Sequence, residues 1–177
     1  MNAEIIEKMK TMKLIGMLRA FRSSFESGTM NTLTSDEMIA HLIEEEWDDR
    51  YNRKIARMTA NAKFRYKVSI EQMYFESERG IDKNLVMRLA ECSFIGRKEN
   101  ILITGSTGIG KSYLASAIGQ QACNLGYRVM YLNASKLFAK LKMAKADSSY
   151  ISEIAKMERQ QLIILDDFGI QIGRAHV

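Results

Sequence analysis

The segment GSTGIGKS, residues 105–112, has the residue types and spacing of a loop that binds phosphate. Its glycines let the backbone curl around an anion without Cβ clashes, and successive N–H groups then point inward as an anion-binding nest. Lys111 supplies a charge for the terminal phosphates, and the Ser112 hydroxyl can bind Mg²⁺. A plain glycine-rich turn that enters a helix is the alternative. The predicted nucleotide-binding residues are Gly105, Ser106, Thr107, Gly108, Ile109, Gly110, Lys111 and Ser112.

A second pattern, LIILDD, places two carboxylates directly after an apolar run, at Asp166 and Asp167. Downstream of a phosphate loop, an acid at the end of a buried strand can hold Mg²⁺, usually through water. We expect Asp166 to be this metal residue and Asp167 to orient or deprotonate an attacking water. The alternative is that the acids only make the strand end soluble. With Lys111, the two carboxylates form the predicted catalytic set.

A third feature is a basic stretch, residues 50–69, which contains no acid and has aromatic residues interleaved. Its first four basic residues are spaced i, i+3, i+4 and i+7, so they share one helix face. These like charges repel, and the phosphates of a nucleic acid would neutralise them without reading base sequence. The alternative is a solvated face that pairs with the acids of residues 44–49. The candidate DNA contacts are Arg50, Arg53, Lys54, Arg57, Lys63, Arg65 and Lys67.

Elements that position these groups can be predicted from hydrophobic periodicity and capping residues. Residues 1–78 have a helical pattern, with one helix that carries apolar residues from Ile5 to Phe21. A long helix is predicted from about Asp36 to Ala62, with Thr34 or Ser35 as its N-cap. Alternating strands and helices follow, which predicts a parallel sheet of the α/β class. The predicted elements are a helix at 83–91, a strand at 100–104, a helix at 111–125, a strand at 128–132, helices at 135–144 and 150–158, and a strand at 162–165.

Composition narrows the function classes. The chain has 177 residues, of which 46% are hydrophobic, and a formal net charge of +5, which suits either a polyanionic partner or simple solubility. Its two cysteines, Cys92 and Cys123, lack metal-binding spacing and are expected to be reduced thiols in the cytoplasm. No apolar stretch approaches the roughly 20 residues that span a bilayer, so no membrane partner is expected.

Taken together, these motifs resemble the IstB/DnaC-like ATPases of the AAA+ class. The similarity includes the phosphate loop with its helix, the segment SSYISEIAKMERQQLIILDDFG, and the segment EEEWDDRYNRKIARMTANAKFR, which resembles the N-terminal helical region of the IstB branch. The resemblance implies a P-loop NTPase (AAA+) parallel sheet flanked by helices, after an all-α N-terminal domain, with ATP and Mg²⁺ as cofactors. It further implies a helper protein for DNA transposition that assembles on double-stranded DNA as an oligomer and recruits a transposase.

The resemblance also predicts three segments: a helical DNA- or partner-binding domain at residues 1–78, a partial ATP-binding domain at 79–170, and a tail at 171–177. The tail QIGRAHV departs from the family pattern and matches the translation of a sequencing adapter, so our hypothesis is that it is not native. No sensor, arginine finger or C-terminal lid can be placed after Ile170. We therefore expect this chain to bind ATP with little hydrolysis, and the full-length form to be an ATPase.

Two other functions fit parts of the pattern. A DnaC-like replicative helicase loader shares the ATPase motifs and would act mainly as a protein-binding switch, although the N-terminal residues favour the transposition branch. A P-loop kinase should carry further substrate-binding arginines and a lid, which are not evident. The residues that contact adenine are not predicted by a motif; Phe94 and Ile95, just before the apolar run, are candidates to border the base.

Overall fold

The computed structural model describes residues 3–73 and 82–168, apart from the Met30 side chain. The chain divides into two compact units, Met1–Ala56 and Arg57–Val177. The predicted boundary near residue 78 and the predicted tail at 171–177 lie outside the described residues.

In chain order the elements are α1 (Ala3–Thr11), α2 (Ile15–Glu26), α3 (Ser35–Ala62), α4 (Lys83–Ala90), α5 (Ser93–Gly96), α6 (Lys111–Asn124), β1 (Val129–Asn133), α7 (Ala134–Ala146), α8 (Tyr150–Glu158) and β2 (Leu162–Asp166), with single 3₁₀ turns at Thr29–Asn31 and Ile70–Gln72.

The first helices show one correct and one wrong prediction. The N-terminus of α3 is capped as predicted, because the Thr34 N–H donates to Glu37 Oε2 over 2.8 Å and the Glu37 N–H donates to Thr34 Oγ1 over 3.3 Å. The predicted single helix over Ile5–Phe21 is wrong. Lys13 has a φ of 59°, in the left-handed region, and this residue ends α1 before α2 begins.

The two strands form a parallel sheet in which Val129 pairs with Leu162 and Asn133 pairs with Asp166. Helix α6 packs against both strands, and α7 packs against β1. A parallel pair with helices against it agrees with the predicted α/β class. The register brings the last residues of both strands to the same edge of the sheet, and α6 begins at the phosphate loop.

The core of the second unit lies around α6. Ala117, Ala122 and Cys123 on this helix are fully buried, and Cys92 from the segment before α5 is buried in the same cluster. Both cysteines are free thiols, as predicted. None of the helices in the described ranges combines the length and the hydropathy that crossing a bilayer requires.

The strand predicted at residues 100–104 is wrong. Residues 101–106 have no regular secondary structure, and the side chains of Ile101 and Leu102 are exposed, Leu102 by 84%. A strand is stabilised by hydrogen bonds to a neighbouring strand. Within the described residues, β1 and β2 pair only with each other. The apolar run therefore leads into the phosphate loop as irregular chain that pairs with neither described strand.

Candidate nucleotide-binding site

The phosphate loop adopts the conformation that its glycines predict. Gly105, Gly108 and Gly110 have φ values of 151°, 86° and 99°, which side-chain-bearing residues rarely adopt. Gly110 immediately precedes α6, so the loop ends at the positive end of a helix dipole. Residues 104–110 are exposed and can be reached by a ligand from solvent.

Lys111, the first residue of α6, folds back over the loop. Its Nζ donates to the carbonyl oxygens of Gly105, over 2.9 Å, and of Ser106, over 2.8 Å. These two bonds hold the ammonium group against the loop, so the positive charge is already located where the sequence predicts an anion. Lys111 is partly exposed, so a ligand from solvent can reach it.

The loop and the acidic strand end meet at a single hydrogen bond. Ser112 Oγ donates to Asp166 Oδ1 over 2.7 Å, which links α6 to the end of β2 across 54 residues of sequence. A hydroxyl that donates its proton to a carboxylate keeps lone pairs on its oxygen as acceptors. A hydroxyl and a carboxylate oxygen are ligands that suit Mg²⁺, which keeps several waters and takes further oxygens from phosphate. In the described parts of the chain, no group of three or more His, Cys, Asp or Glu side chains is arranged to hold a metal ion.

Asp166 is held by two further donors. Tyr131 donates its hydroxyl proton to Oδ2, and Arg65 Nη1 lies 3.1 Å from the same oxygen. Burial raises the pKa of Asp166, but the hydrogen bonds from Tyr131, Ser112 and Arg65 lower it more, and the net pKa is below the usual range. Burial, followed by the bond to Asp166, raises the pKa of Tyr131. Asp166 is therefore an ionised carboxylate at neutral pH.

Asp167 has its own support. Its backbone is left-handed, with a φ of 56°, and Asn133 Nδ2 donates to its Oδ2 over 2.7 Å. Arg65 Nη1 lies 3.7 Å from the same oxygen. The sequence reasoning missed Tyr131 and Asn133 as parts of this site. The sequence contains the information needed to find them. Tyr131 and Asn133 are residues i and i+2 of one strand and so share a face, and side chains at the carboxyl ends of neighbouring parallel strands meet.

The loop and the acids line two different clefts. The first, of about 840 Å³, is lined by Phe94, Ile109, Gly110 and Lys111 together with the run before the loop. Ile95 is not among its lining residues. The second, of about 830 Å³, is lined by Asp166, Asp167, Tyr131, Asn133, Arg65 and Lys63, among others. The contact between Ser112 and Asp166 connects the helix beneath the loop with the acidic cleft.

The seven candidate DNA contacts are all exposed, but they differ in their partners. Arg50 donates to Glu46 over 2.6 Å, and Arg53 Nε lies 2.7 Å from Asp49 Oδ2. These two arginines therefore pair with acids of residues 44–49, as the alternative to DNA binding predicts. Arg65 pairs with Asp166. The remaining candidates have no ion pair within the described residues: Lys54, Arg57, Lys63 and Lys67.

Comparison with known proteins agrees with a nucleotide-binding role for this site. The family model described as IstB-like ATP binding protein matches residues 7–175. An insertion-sequence ATP-binding protein of Sinorhizobium fredii is 37% identical over 94% of this chain and 68% of its own length. The ATP-binding protein of insertion sequence IS1162 from Pseudomonas fluorescens is 30% identical over 96% of this chain and 74% of its own. That of IS21 from Pseudomonas aeruginosa is 29% identical over 83% and 56%.

These matches bear on the sequence predictions. The predicted P-loop α/β fold and the predicted family are confirmed by the family match together with the parallel sheet and its helices. The roles of individual residues toward ATP, Mg²⁺ and DNA stay predictions. The match spans almost the entire chain, including the helices before the phosphate loop, so the chain belongs to the family of IstB-like ATP-binding proteins.

Proposed function

We propose that this chain is the ATP-binding helper of a DNA transposition system and that it binds Mg²⁺·ATP at the phosphate loop. The observation that carries this proposal is the 2.7 Å contact between Ser112 Oγ and Asp166 Oδ1, which joins the loop to an ionised acid at the neighbouring strand end. A glycine-rich turn that only entered a helix would not require this arrangement. The similar proteins of Sinorhizobium fredii and Pseudomonas fluorescens are insertion-sequence ATP-binding proteins, which supports the biological role.

Each residue then has a defined part. The N–H groups of the loop and the start of α6 hold the phosphates, and Lys111 exchanges its carbonyl contacts for phosphate oxygens. Ser112 and Asp166 would hold Mg²⁺, the acid through water, and the bound ion would supply positive charge to the phosphates. Asp167, oriented by Asn133, is placed to position a water molecule.

Nucleotide binding can be tested by titrating the chain into a fluorescent ATP analogue with magnesium present. We expect Lys111→Ala to weaken binding about tenfold or more, because charge-assisted hydrogen bonds to phosphate are lost. Lys142→Ala is the matched control, since this exposed lysine on α7 has no ion pair within the described residues. Equal affinity of the parent and Lys111→Ala would refute the assignment of the loop.

We also propose that double-stranded DNA binds through its phosphates to the basic residues that lack acid partners. The double variant K54Q/R57Q and its control R50Q/R53Q remove the same charge from the same helix. Each phosphate contact contributes about −0.9 to the slope of log affinity against log salt. We expect K54Q/R57Q to reduce the magnitude of this slope by about two, and the control R50Q/R53Q, whose arginines pair with acids, to reduce it by less than one. Equal effects of the two variants would contradict the assignment.

Hydrolysis, self-assembly on DNA and recruitment of a transposase are proposed for the whole protein in the cytoplasm. The alternative role, loading of a replicative helicase, predicts a different partner. Stimulation of transposition by the full-length protein with its cognate transposase, lost in Lys111→Ala, would support the helper role. Binding to a replicative helicase without effect on the transposase would favour the loader.

A further inference from the structure

Arg65 occupies the acidic end of the sheet. Its Nη1 lies 3.1 Å from Asp166 Oδ2 and 3.7 Å from Asp167 Oδ2. The Arg65 side chain is 49% exposed, whereas that of Asp166 is 13% exposed, so the guanidinium approaches the acid from the solvent side. The Arg65 guanidinium also lies over the Tyr66 ring, 5.6 Å from its centroid, and the segment that carries both residues, 63–69, has no helix or strand.

The partners of Asp166 define what Arg65 contributes. Oδ1 accepts from Ser112, and Oδ2 accepts from Tyr131 and from Arg65. The serine and tyrosine hydroxyls are neutral, so in the described part of the chain Arg65 supplies the only positive charge paired with this acid. A cation that neutralises a metal-binding carboxylate competes electrostatically with the metal.

We propose that Arg65 is a positioning residue of the metal site, which neutralises Asp166 and Asp167 while the site has no metal and releases them when Mg²⁺·nucleotide binds. This inference rests on the proposed function of the loop. Arg65 contacts Oδ2 of Asp166, whereas Ser112 donates to Oδ1, so the two side chains use different oxygens of the carboxylate.

The released guanidinium has an acceptor of suitable charge. Arg65 lies between Lys63 and Lys67 in a stretch that contains no acid from residue 50 to residue 69. Both lysines are exposed and have no ion pair within the residues that the structure describes. A DNA phosphate bound by this segment would therefore compete with Asp166 for Arg65. Binding of DNA and binding of Mg²⁺·nucleotide should then strengthen each other by the same factor.

The test measures how the affinity for a fluorescent ATP analogue depends on Mg²⁺. In Arg65→Gln we expect the Mg²⁺ concentration at half-maximal binding to fall about two- to fivefold, the scale of one half-exposed ion pair. Affinity measured in EDTA should stay unchanged. Arg65→Lys keeps the charge and should stay near the parent. Arg22→Gln, which removes an exposed guanidinium that has no ion pair in the described ranges, should match the parent.

Several outcomes would overturn the proposal. An unchanged or higher Mg²⁺ midpoint in Arg65→Gln that melts like the parent would show that the pair does not compete with the metal. Weaker binding in EDTA would make Arg65 a phosphate contact instead. Duplex DNA should lower the midpoint of the parent but not of Arg65→Gln; an equal response of both would also count against it. If the parent binds no nucleotide at any Mg²⁺ concentration, the proposed function itself fails, and this result is distinguishable from all the others.

Discussion

Replacing Gly119 by alanine tests the packing that holds the site together. Gly119 lies on α6, where an added Cβ would come within 2.4 Å of Phe64 Cε1 and 2.7 Å of Ile164 Cδ1. Both neighbours support the acids: the Phe64 ring packs edge-on against Tyr131, with centroids 6.3 Å apart, and Ile164 belongs to the strand that ends at Asp166. No side chain fits here without displacement of one of them.

The size of the effect follows from two opposing contributions. Overpacking of a well-packed core costs about 1–3 kcal/mol. Alanine is favoured over glycine inside a helix by about 1 kcal/mol, which offsets part of this cost. Both contacts are with partly buried side chains, the Phe64 ring and the terminal methyl of Ile164, but these belong to two different elements and both would have to move, which places the cost in the upper half of this range. We therefore expect Gly119→Ala to lower the free energy of unfolding by about 1–2 kcal/mol.

Urea denaturation followed by circular dichroism measures this loss. Gly96→Ala is the matched control, because a Cβ at Gly96 meets no atom within 4 Å and its stability should stay at or slightly above that of the parent. The double variant Gly119→Ala with Phe64→Leu removes the closest ring atoms and should recover part of the loss. A Gly119→Ala protein as stable as the parent would refute the described packing of α6 on the sheet.

Three further predictions concern other parts of the chain. Gly16→Ala should destabilise the first unit by about 2–3 kcal/mol, because its Cβ would lie 2.3 Å from the backbone oxygen of Glu45; parent-like denaturation would contradict this. The hydrogen bonds that lower the pKa of Asp166 stabilise the fold while this carboxylate is ionised, which is the case above its ordinary pKa. This stabilisation is lost as the pH falls below about 4. The difference in free energy of unfolding between the parent and Asp166→Asn should therefore be large at pH 7 and smaller at pH 3. A gap independent of pH would count against the hydrogen bonds to this carboxylate. Burial raises the pKa of Cys92 to about 11, so it and Cys123 should react with a thiol reagent at pH 8 only after denaturation; rapid reaction of the native chain would contradict their burial.

Local signals explain what the sequence could predict. The phosphate loop, the Thr34 cap and the helix Tyr150–Glu158 each depend on residues close together in the chain, and the structure has all three. The strand Leu162–Asp166 follows from an apolar run between polar residues. Propensity and spacing are sufficient where the partners are local.

Contacts between distant residues explain what the sequence could not predict. Arg65 and Asp166 are 101 residues apart, and no local pattern distinguishes an arginine that pairs with an acid from one that binds DNA. The apolar run at residues 100–104 has strand composition, but a strand also needs a paired neighbour. The break between α1 and α2 depends on one left-handed lysine, which periodicity does not detect.

The central claim, that Ser112 and Asp166 form a cation site beside a nucleotide-binding loop, is tested most directly by calorimetric titration of ATP into the parent and into Ser112→Ala, with magnesium and with EDTA. We predict that magnesium strengthens ATP binding to the parent and that Ser112→Ala loses this enhancement while its affinity in EDTA stays the same. No measurable ATP binding by the parent, or an equal magnesium effect in both proteins, would contradict the claim.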